Sequence, residues 1–102
     1  TLQVESIVRA LLPFAPCTIA DVGRALGLPA RTLQARLKAA DTSFRAIKDA
    51  VRRDLAGKYA RHSEMSATQI AGLLGFVELA SFSRAFRRWQ GVGFRGRKRG
   101  GI

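Results

Sequence analysis

Residues 22–28 read Val-Gly-Arg-Ala-Leu-Gly-Leu, and residues 70–76 repeat the pattern as Ile-Ala-Gly-Leu-Leu-Gly-Phe. Each copy runs from an aliphatic residue through a small residue and two spacers to Leu-Gly and a large apolar residue. An amphipathic stretch follows each copy, at residues 31–39 and 79–89. A helix, a tight turn and a second helix have this outline. The repeat therefore predicts two helix-turn-helix units in one chain.

The composition is that of a folded and strongly basic chain. Hydrophobic residues make up 47% of the 102 residues, which is enough for a packed core. Eighteen Lys and Arg against seven Asp and Glu give a formal net charge of +11. Residues 1–50 hold seven basic and four acidic residues, or +3, and residues 51–102 hold eleven and three, or +8. Such a balance favours a polyanionic partner, either nucleic acid or an anionic membrane surface.

Several classes of protein are disfavoured by what the sequence lacks. The lone Cys17 has no partner for an internal disulfide, and we expect it to be buried or half-buried in a loop. No apolar run approaches the length of a membrane span, and no signal-peptide pattern opens the chain. Without such a segment, we expect a cytoplasmic location. Since the chain begins with Thr1 rather than methionine, we also expect it to be a fragment of a longer polypeptide.

The first half predicts three helices. Helical spacing of apolar residues indicates a first helix that begins near Leu2 and is ended by Pro13 and Pro16. Thr18 is typical of an N-cap, with Asp21 three residues later. We expect the second helix to bury a stripe made of Ile19, Val22, Ala25 and Leu26. We expect Gly27 to adopt a left-handed conformation that ends the second helix. Pro29 suits the start of the third helix, in which Leu33 and Leu37 face the core.

The second half predicts a long helix and a second pair. After a break at residues 41–43, a helix runs to about Arg61 with one apolar face, composed of Phe44, Ile47, Val51, Leu55 and Tyr59. Ser66 with Gln69 forms a capping box that starts the fifth helix. We expect Phe76 to fill the turn and the sixth helix to bury Phe82, Phe86 and Trp89. Aligning Leu33 with Phe82 and Leu37 with Phe86 requires one extra residue in the second turn.

These elements define the predicted architecture. No segment alternates with period two for long enough to indicate a strand, so the class is all-α. Two helix-turn-helix lobes, each a homeodomain-like three-helical unit, are joined by a long connecting helix. We assign residues 1–41 to the first lobe, 42–62 to the connecting helix, 63–92 to the second lobe and 93–102 to a basic C-terminal tail.

The second helix of each unit presents side chains suited to a DNA major groove. They are Arg31, Gln34, Ala35 and Lys38 in the first unit, and Leu79, Ala80, Ser81, Ser83, Arg84, Arg87 and Arg88 in the second. Arginine donates to guanine and glutamine pairs with adenine, while Ala and Leu meet a thymine methyl. We expect Lys38, Arg87 and Arg88, nearer the helix ends, to contact phosphates. For any single arginine a merely solvated helix face is the alternative.

The connecting helix has a suitable length for pairing the lobes on one duplex. From Ser43 to Arg61 it would measure about 28 Å at 1.5 Å per residue. Successive major grooves on one face of DNA lie roughly 34 Å apart. We therefore expect the two second helices, as recognition helices, to enter successive major grooves.

The chain resembles the DNA-binding domain of the AraC/XylS family of bacterial transcription regulators. The resemblance rests on Ile70-Ala71-x-x-Leu74-Gly75-Phe76 and on residues 82–92, which read Phe-Ser-Arg-Ala-Phe-Arg-Arg-Trp-Gln-Gly-Val. It implies sequence-specific binding of double-stranded promoter DNA by two helix-turn-helix lobes. Carried over by position, it implies contacts by residues 31, 34 and 35 in the first lobe and 79, 80, 81, 83 and 84 in the second. It also implies an effector-binding domain elsewhere in the full-length chain, with RNA polymerase as a further candidate partner.

The resemblance ends with the second lobe. The family usually continues Ser-Pro-x-x-Tyr-Arg, whereas residues 93–102 read Gly-Phe-Arg-Gly-Arg-Lys-Arg-Gly-Gly-Ile. A loose basic tail that follows the phosphate backbone is one interpretation of this departure, and a frayed end is the other.

Other functions fit the residues less well. His62 is the only histidine, no spacing suggests metal ligands, and no Gly-rich phosphate loop is present, so we expect no enzyme, metal or cofactor. A membrane-active cationic scaffold would explain the charge, but it would explain neither the capped turns nor the clustering of side chains suited to a DNA groove. A non-specific RNA- or DNA-binding basic protein is the main alternative, but stacking on RNA requires exposed aromatic rings, and most of these fall on inward stripes.

Overall fold

The computed structural model describes residues 1–14, 17–91 and 93–94. Within these ranges the regular structure is helical, with no strand, which confirms the predicted all-α class. The α-helices are α1 (Leu2–Leu11), α2 (Ile19–Leu26), α3 (Ala30–Ala39), α4 (Phe44–His62), α5 (Ala67–Leu73) and α6 (Leu79–Gln90). The chain divides into two compact units, Thr1–Val51 and Arg52–Ile102.

The first unit packs α1, α2, α3 and the start of α4 around one apolar core. Its buried side chains include Val4, Val8, Leu12, Cys17, Val22, Leu33, Leu37, Ile47 and Val51. Cys17 is buried, as predicted. The ammonium group of Lys48 in α4 donates to the Cys17 carbonyl oxygen at 2.8 Å. This bond holds the segment before α2 against the connecting helix.

Two details of the first unit differ from the sequence-based expectation. Pro13 was expected to end the first helix. Instead, α1 ends at Leu11 and Pro13 lies inside a 3₁₀ turn that continues from Leu12 to Phe14. Proline suits such a turn because its fixed φ is helical and its missing N–H is not needed there. Ala25 was expected in the buried stripe of α2 but is exposed, and Gly23 is buried instead.

Both predicted helix starts are confirmed, and each of them is a capping box. The Thr18 hydroxyl accepts from the Asp21 N–H, while the Asp21 carboxylate accepts from the Thr18 N–H at 3.0 Å and the Thr18 hydroxyl at 2.8 Å. Ser66 and Gln69 make the reciprocal pair at the start of α5. The bond from the Thr18 N–H, followed by that from its hydroxyl, lowers the pKa of the Asp21 carboxyl below its ordinary 3.8. The nearby charges of Arg24 and Lys48 act in the same direction.

The second unit has an aromatic core. Its buried residues are Ala56, Ala60, Ile70, Ala71, Leu74, Phe82 and Phe86, with Phe76, Trp89 and Phe94 among the half-buried residues packed against them. Small residues on α4 permit close packing, and Gly57 lies within the helix rather than ending it. The prediction that α4 buries Leu55 and Tyr59 holds in part, since both are half-buried.

Phe94 differs from the expectation of a loose tail. Its ring centroid lies 5.4 Å from that of Phe86 and 6.2 Å from that of Phe82. The chain beyond Gly91 therefore returns an apolar residue to the second core. Residues 95–102, which hold the basic part of the predicted tail, lie outside the described residues.

The two units share a common register. The capping boxes at Thr18 and Ser66 are 48 residues apart, and so are the left-handed Gly27 and Gly75. The next helices, α3 and α6, begin 49 residues apart. The predicted extra residue thus lies in the second turn, between the left-handed glycine and the start of α6. None of the helices among the described residues is long and apolar enough to cross a bilayer.

Candidate nucleic-acid interface

The first turn is closed by backbone hydrogen bonds that need a close approach at Gly23. Gly27 has φ +71°, and the Leu28 N–H donates to the Gly23 carbonyl oxygen at 2.8 Å. The left-handed residue satisfies carbonyls at the end of α2 and redirects the chain into α3. Leu33 and Leu37 then bury one stripe of α3. The opposite stripe must face away from the core.

The predicted residues of α3 all lie on this outer face. Arg31, Gln34, Ala35 and Lys38 are exposed. The helix carries three basic side chains, at positions 31, 36 and 38, and no acidic residue. A helix face of this kind repels cations and offers several donors to a polyanion.

The second turn repeats this construction with a larger apolar filling. The Phe76 N–H donates to the Ala71 carbonyl oxygen at 2.9 Å, and Gly75 has φ +79°. The Phe76 ring lies 5.7 Å from Phe82 and 6.3 Å from Trp89, centroid to centroid. These rings join the turn to α6 and so fix which face of α6 is buried.

The predicted residues of α6 lie largely on its outer face. Those exposed are Leu79, Ala80, Ser83, Arg84, Arg87 and Arg88, while Ser81 is half-buried. The Arg84 guanidinium lies 3.5 Å from the Ser81 hydroxyl, which is a weak contact that leaves the arginine available to a ligand. Like α3, α6 carries three basic side chains, at positions 84, 87 and 88, and no acidic residue.

The two outer faces differ in where the long side chains stand. With the 49-residue register of α3 and α6, Arg31 corresponds to Ala80, and Ala35 corresponds to Arg84. An arginine in one unit therefore stands where the other has alanine. Lys38 and Arg87 correspond as a shared basic position.

Residues that sequence reasoning did not single out support the interface from behind. Arg52 bonds the carbonyls at the end of α5, and Lys48 bonds the segment before α2. Phe94 completes the aromatic core beneath α6. An apolar residue in an otherwise basic tail was the available signal for Phe94. For Lys48 the sequence offers only its position on the connecting helix, whereas Arg52 also lies in the Arg-Arg-x-Leu-Ala stretch, residues 52–56, that fits the family. Among the described residues no cluster of His, Cys, Asp or Glu could hold a metal ion.

Two compact helix-turn-helix units, each with a basic outer face on its second helix, define a DNA-binding protein of the helix-turn-helix class. A family model described as a helix-turn-helix domain matches residues 22–95. The chain belongs to this family, the AraC-type helix-turn-helix domains, as the sequence resemblance predicted.

Individual proteins agree with this assignment. An uncharacterised helix-turn-helix-type transcriptional regulator of Mycobacterium tuberculosis is 39% identical over 75 residues, which cover 74% of this chain and 22% of that protein. A DNA-binding transcriptional dual regulator of Escherichia coli K-12 has the same fold, with a TM-score of 0.88, 17% identity, and coverage of 97% of this chain and 88% of that one. A probable AraC family regulator of Rhodopseudomonas palustris gives a TM-score of 0.76 at 22% identity, covering 98% and 94%.

The chain is much shorter than its relatives. It spans about a fifth to a quarter of the length of the curated relatives it matches, between 22% and 26%.

Proposed function

We propose that this chain is the part of a bacterial transcription regulator that binds double-stranded operator DNA in a sequence-specific manner. The observation that carries the proposal is the matched construction of α3 and α6. Each helix buries its apolar stripe behind a glycine turn and carries three exposed basic side chains and no acidic side chain. Recognition helices of helix-turn-helix proteins enter the major groove with such a face.

The outer-face residues divide into two roles by chemistry and position. We assign base contacts to residues that can donate to base edges or meet a thymine methyl: Arg31, Gln34, Ala35, Leu79, Ala80, Ser81, Ser83 and Arg84. We assign phosphate contacts to residues nearer the helix ends: Lys38, Arg87 and Arg88. All of these residues but Ser81 are exposed, as contact with DNA requires.

Both recognition helices would act on one duplex. The 19 residues of α4 correspond to a helix of about 28 Å, compared with roughly 34 Å between successive major grooves on one face of DNA. We therefore propose that α3 and α6 enter successive major grooves. Within this arrangement the second lobe anchors the complex, because its arginines at positions 84, 87 and 88 follow one another closely, and the first lobe refines the site with Arg31 and Gln34.

The remaining partners belong to the full-length protein. An effector-binding domain would lie in the part of the polypeptide outside this chain, and RNA polymerase is the further partner proposed for a regulator. The site of action would be the nucleoid, within the cytoplasm. The role is one of binding, to which we assign no reaction, metal or cofactor.

A competition titration tests the proposal. A random pool of duplexes is selected for binding, and the enriched duplex is then compared with scrambled duplex, RNA and anionic vesicles at several salt concentrations. We expect the enriched duplex to bind about a thousandfold or more tightly than scrambled DNA. Equal affinity for all polyanions would instead support a non-specific nucleic-acid-binding protein. The packing of Phe76, Phe82, Phe86 and Phe94 in the core leaves these four rings unavailable for stacking on RNA bases, which is one form of that alternative.

A further inference from the structure

The end of α5 has a partner outside its own backbone. The last carbonyls of a helix lack intrahelical donors and must be satisfied by other groups. Here the Arg52 guanidinium provides two donors. Its Nε donates to the Leu74 carbonyl oxygen at 2.9 Å, and a terminal nitrogen donates to the Gly75 carbonyl oxygen at 3.1 Å. A cation at this position also complements the negative end of the helix dipole. One side chain of α4 therefore grips both residues at which the chain turns toward α6.

The same guanidinium contacts the residue that fills the turn. Its central carbon lies 4.2 Å from the centroid of the Phe76 ring, within the range of a cation–π interaction. Phe76 in turn packs against Phe82 and Trp89 of α6. A continuous line of contacts thus runs from Arg52 through Phe76 to the buried face of the recognition helix.

The first unit shows that the fold does not require an arginine here. At the common spacing of 48 residues, Arg52 corresponds to Val4, a buried apolar residue. In the first turn the Leu28 N–H donates to the Gly23 carbonyl oxygen, beside a longer bond of 3.3 Å from the Gly27 N–H to the Arg24 carbonyl oxygen. The second turn makes the equivalent bond but is one residue longer, and Val77 within it is 97% exposed. Residues 77 and 78 are both exposed, so the contact between this turn and α6 is made by Phe76.

We propose that Arg52 is a positioning residue for DNA recognition by the second lobe. It restrains the lengthened turn, so that α6 presents Arg84 and its neighbours to base edges in one orientation. Arg52 itself touches no base in this scheme. The proposal rests on the proposed function, because its consequence is measured as base discrimination by the second lobe.

The test compares three variants on the enriched duplex. Arg52→Ala removes the restraint, and Arg52→Lys keeps the charge but cannot make the planar two-carbonyl contact. Arg53→Ala removes an exposed charge from the next position of α4 and serves as the matched control. Affinities are measured for the enriched duplex and for duplexes with substitutions in either half of the site, at temperatures where every variant is folded.

We expect Arg52→Ala to lower discrimination at the bases read by the second lobe by about tenfold, the value of one base contact. Discrimination by Arg52→Ala at the bases read by the first lobe should stay within about twofold of the wild type. Discrimination by Arg53→Ala should stay within about twofold of the wild type in both halves of the site. Arg52→Lys should fall between Arg52→Ala and the wild type. An equal loss on every duplex, with a shallower salt slope, would make Arg52 a phosphate contact. Unchanged discrimination despite a lowered Tm would reduce it to a stabilising residue. Either result overturns the proposal.

A second readout needs no DNA and separates this proposal from the proposed function. Amide hydrogen exchange in Arg52→Ala should accelerate at residues 76–79, the second turn, and stay unchanged at residues 27–30, the first turn. If the wild type selects no duplex, the proposed function fails. Exchange at residues 76–79 then still decides whether Arg52 restrains the turn, and unchanged exchange there would overturn that role.

Discussion

At the scale of single residues, the turn after α2 depends on the missing side chain of Gly23. A Cβ at this position would lie 2.5 Å from the Leu28 carbonyl oxygen, closer than such atoms approach without a shift of the backbone. Gly72 in α5 is the opposite case, since a Cβ there would meet nothing within 4 Å. The two glycines therefore predict opposite results for the same substitution.

We expect Gly23→Ala to lower the free energy of unfolding by about 1–3 kcal/mol through overpacking. Gly72→Ala should raise it by about 0.5–1 kcal/mol, because alanine has the better helix propensity and restricts the unfolded chain. Urea unfolding followed by circular dichroism measures both. If the two variants shifted stability in the same direction, the close approach at Gly23 would not limit the turn.

Asp21 makes the first unit sensitive to acid. Its pKa is lowered in the folded chain by the Thr18 donors, so its stabilising contribution is complete above the ordinary value of 3.8. The contribution is lost as the pH falls through the lowered pKa, where the carboxylate becomes protonated in the folded state as well. We expect Asp21→Asn to be less stable than the wild type near neutral pH, with the difference shrinking below pH 3.8.

Unfolding curves at a series of pH values check this dependence. Glu64→Gln is the matched control, because it removes an exposed carboxylate that lies in a loop of the other unit. A constant difference between the wild type and Asp21→Asn at every pH would show that the capping box acts without its charge.

At the scale of elements, α6 should hold two kinds of arginine. We expect Arg84→Ala to weaken binding to the enriched duplex by about 1–3 kcal/mol and to relax base preference locally. Arg88→Ala should weaken all duplexes alike and shallow the salt slope by about one unit, the share of one phosphate contact. Binding isotherms at four salt concentrations distinguish the two. A sequence-dependent effect of Arg88→Ala would reverse the assignment.

The sequence predicted elements well wherever a local signal existed. The spacing of Thr18 with Asp21 and of Ser66 with Gln69 marks two helix starts, and the glycines at 27 and 75 mark two turns. Ala25 was misplaced because a small residue carries a weak hydrophobic signal, and the buried Gly23, two residues earlier, carries none. Arg52 lies in an Arg-Arg-x-Leu-Ala stretch that fits the family, but its contacts could not be predicted because its partners lie 22 and 23 residues away, beyond the reach of any local pattern.

At the scale of the whole molecule, the two lobes should contribute unequally to binding. A matched pair of double variants removes two charges from each recognition helix: Arg31→Ala with Lys38→Ala, and Arg84→Ala with Arg87→Ala. On random DNA both pairs should shallow the salt slope by about one unit, because each pair removes one assigned phosphate contact, Lys38 or Arg87. On the enriched duplex the second-lobe pair should lose at least about 1 kcal/mol more, because we assign the anchoring contacts to that lobe. Equal losses would mean that neither lobe anchors the complex.

The architecture was predictable because the chain repeats itself. Two copies of one pattern, each with caps and a turn, left few alternatives to a pair of helix-turn-helix units. The exposed faces of α3 and α6 that form the candidate site were predictable, since burying Leu33, Leu37, Phe82 and Phe86 determines which residues point outward. The anchoring of Phe94 was not, because its ring packs on Phe86 and Phe82 through a segment whose composition is otherwise that of a polar tail.

The single extra residue of the second turn has a consequence for protein engineering. Up to the left-handed glycines, equivalent residues of the two units are 48 positions apart. A segment that ends at the glycine could therefore be exchanged between the units without an insertion or deletion. Beyond that point the numbering shifts from 48 to 49. A chimera that moved α6 into the first unit would have to include residues 76–78. It would also need an arginine in place of Val4, the residue that corresponds to Arg52. The junction for exchanging DNA-binding specificities is therefore the left-handed glycine, not the first residue of the recognition helix.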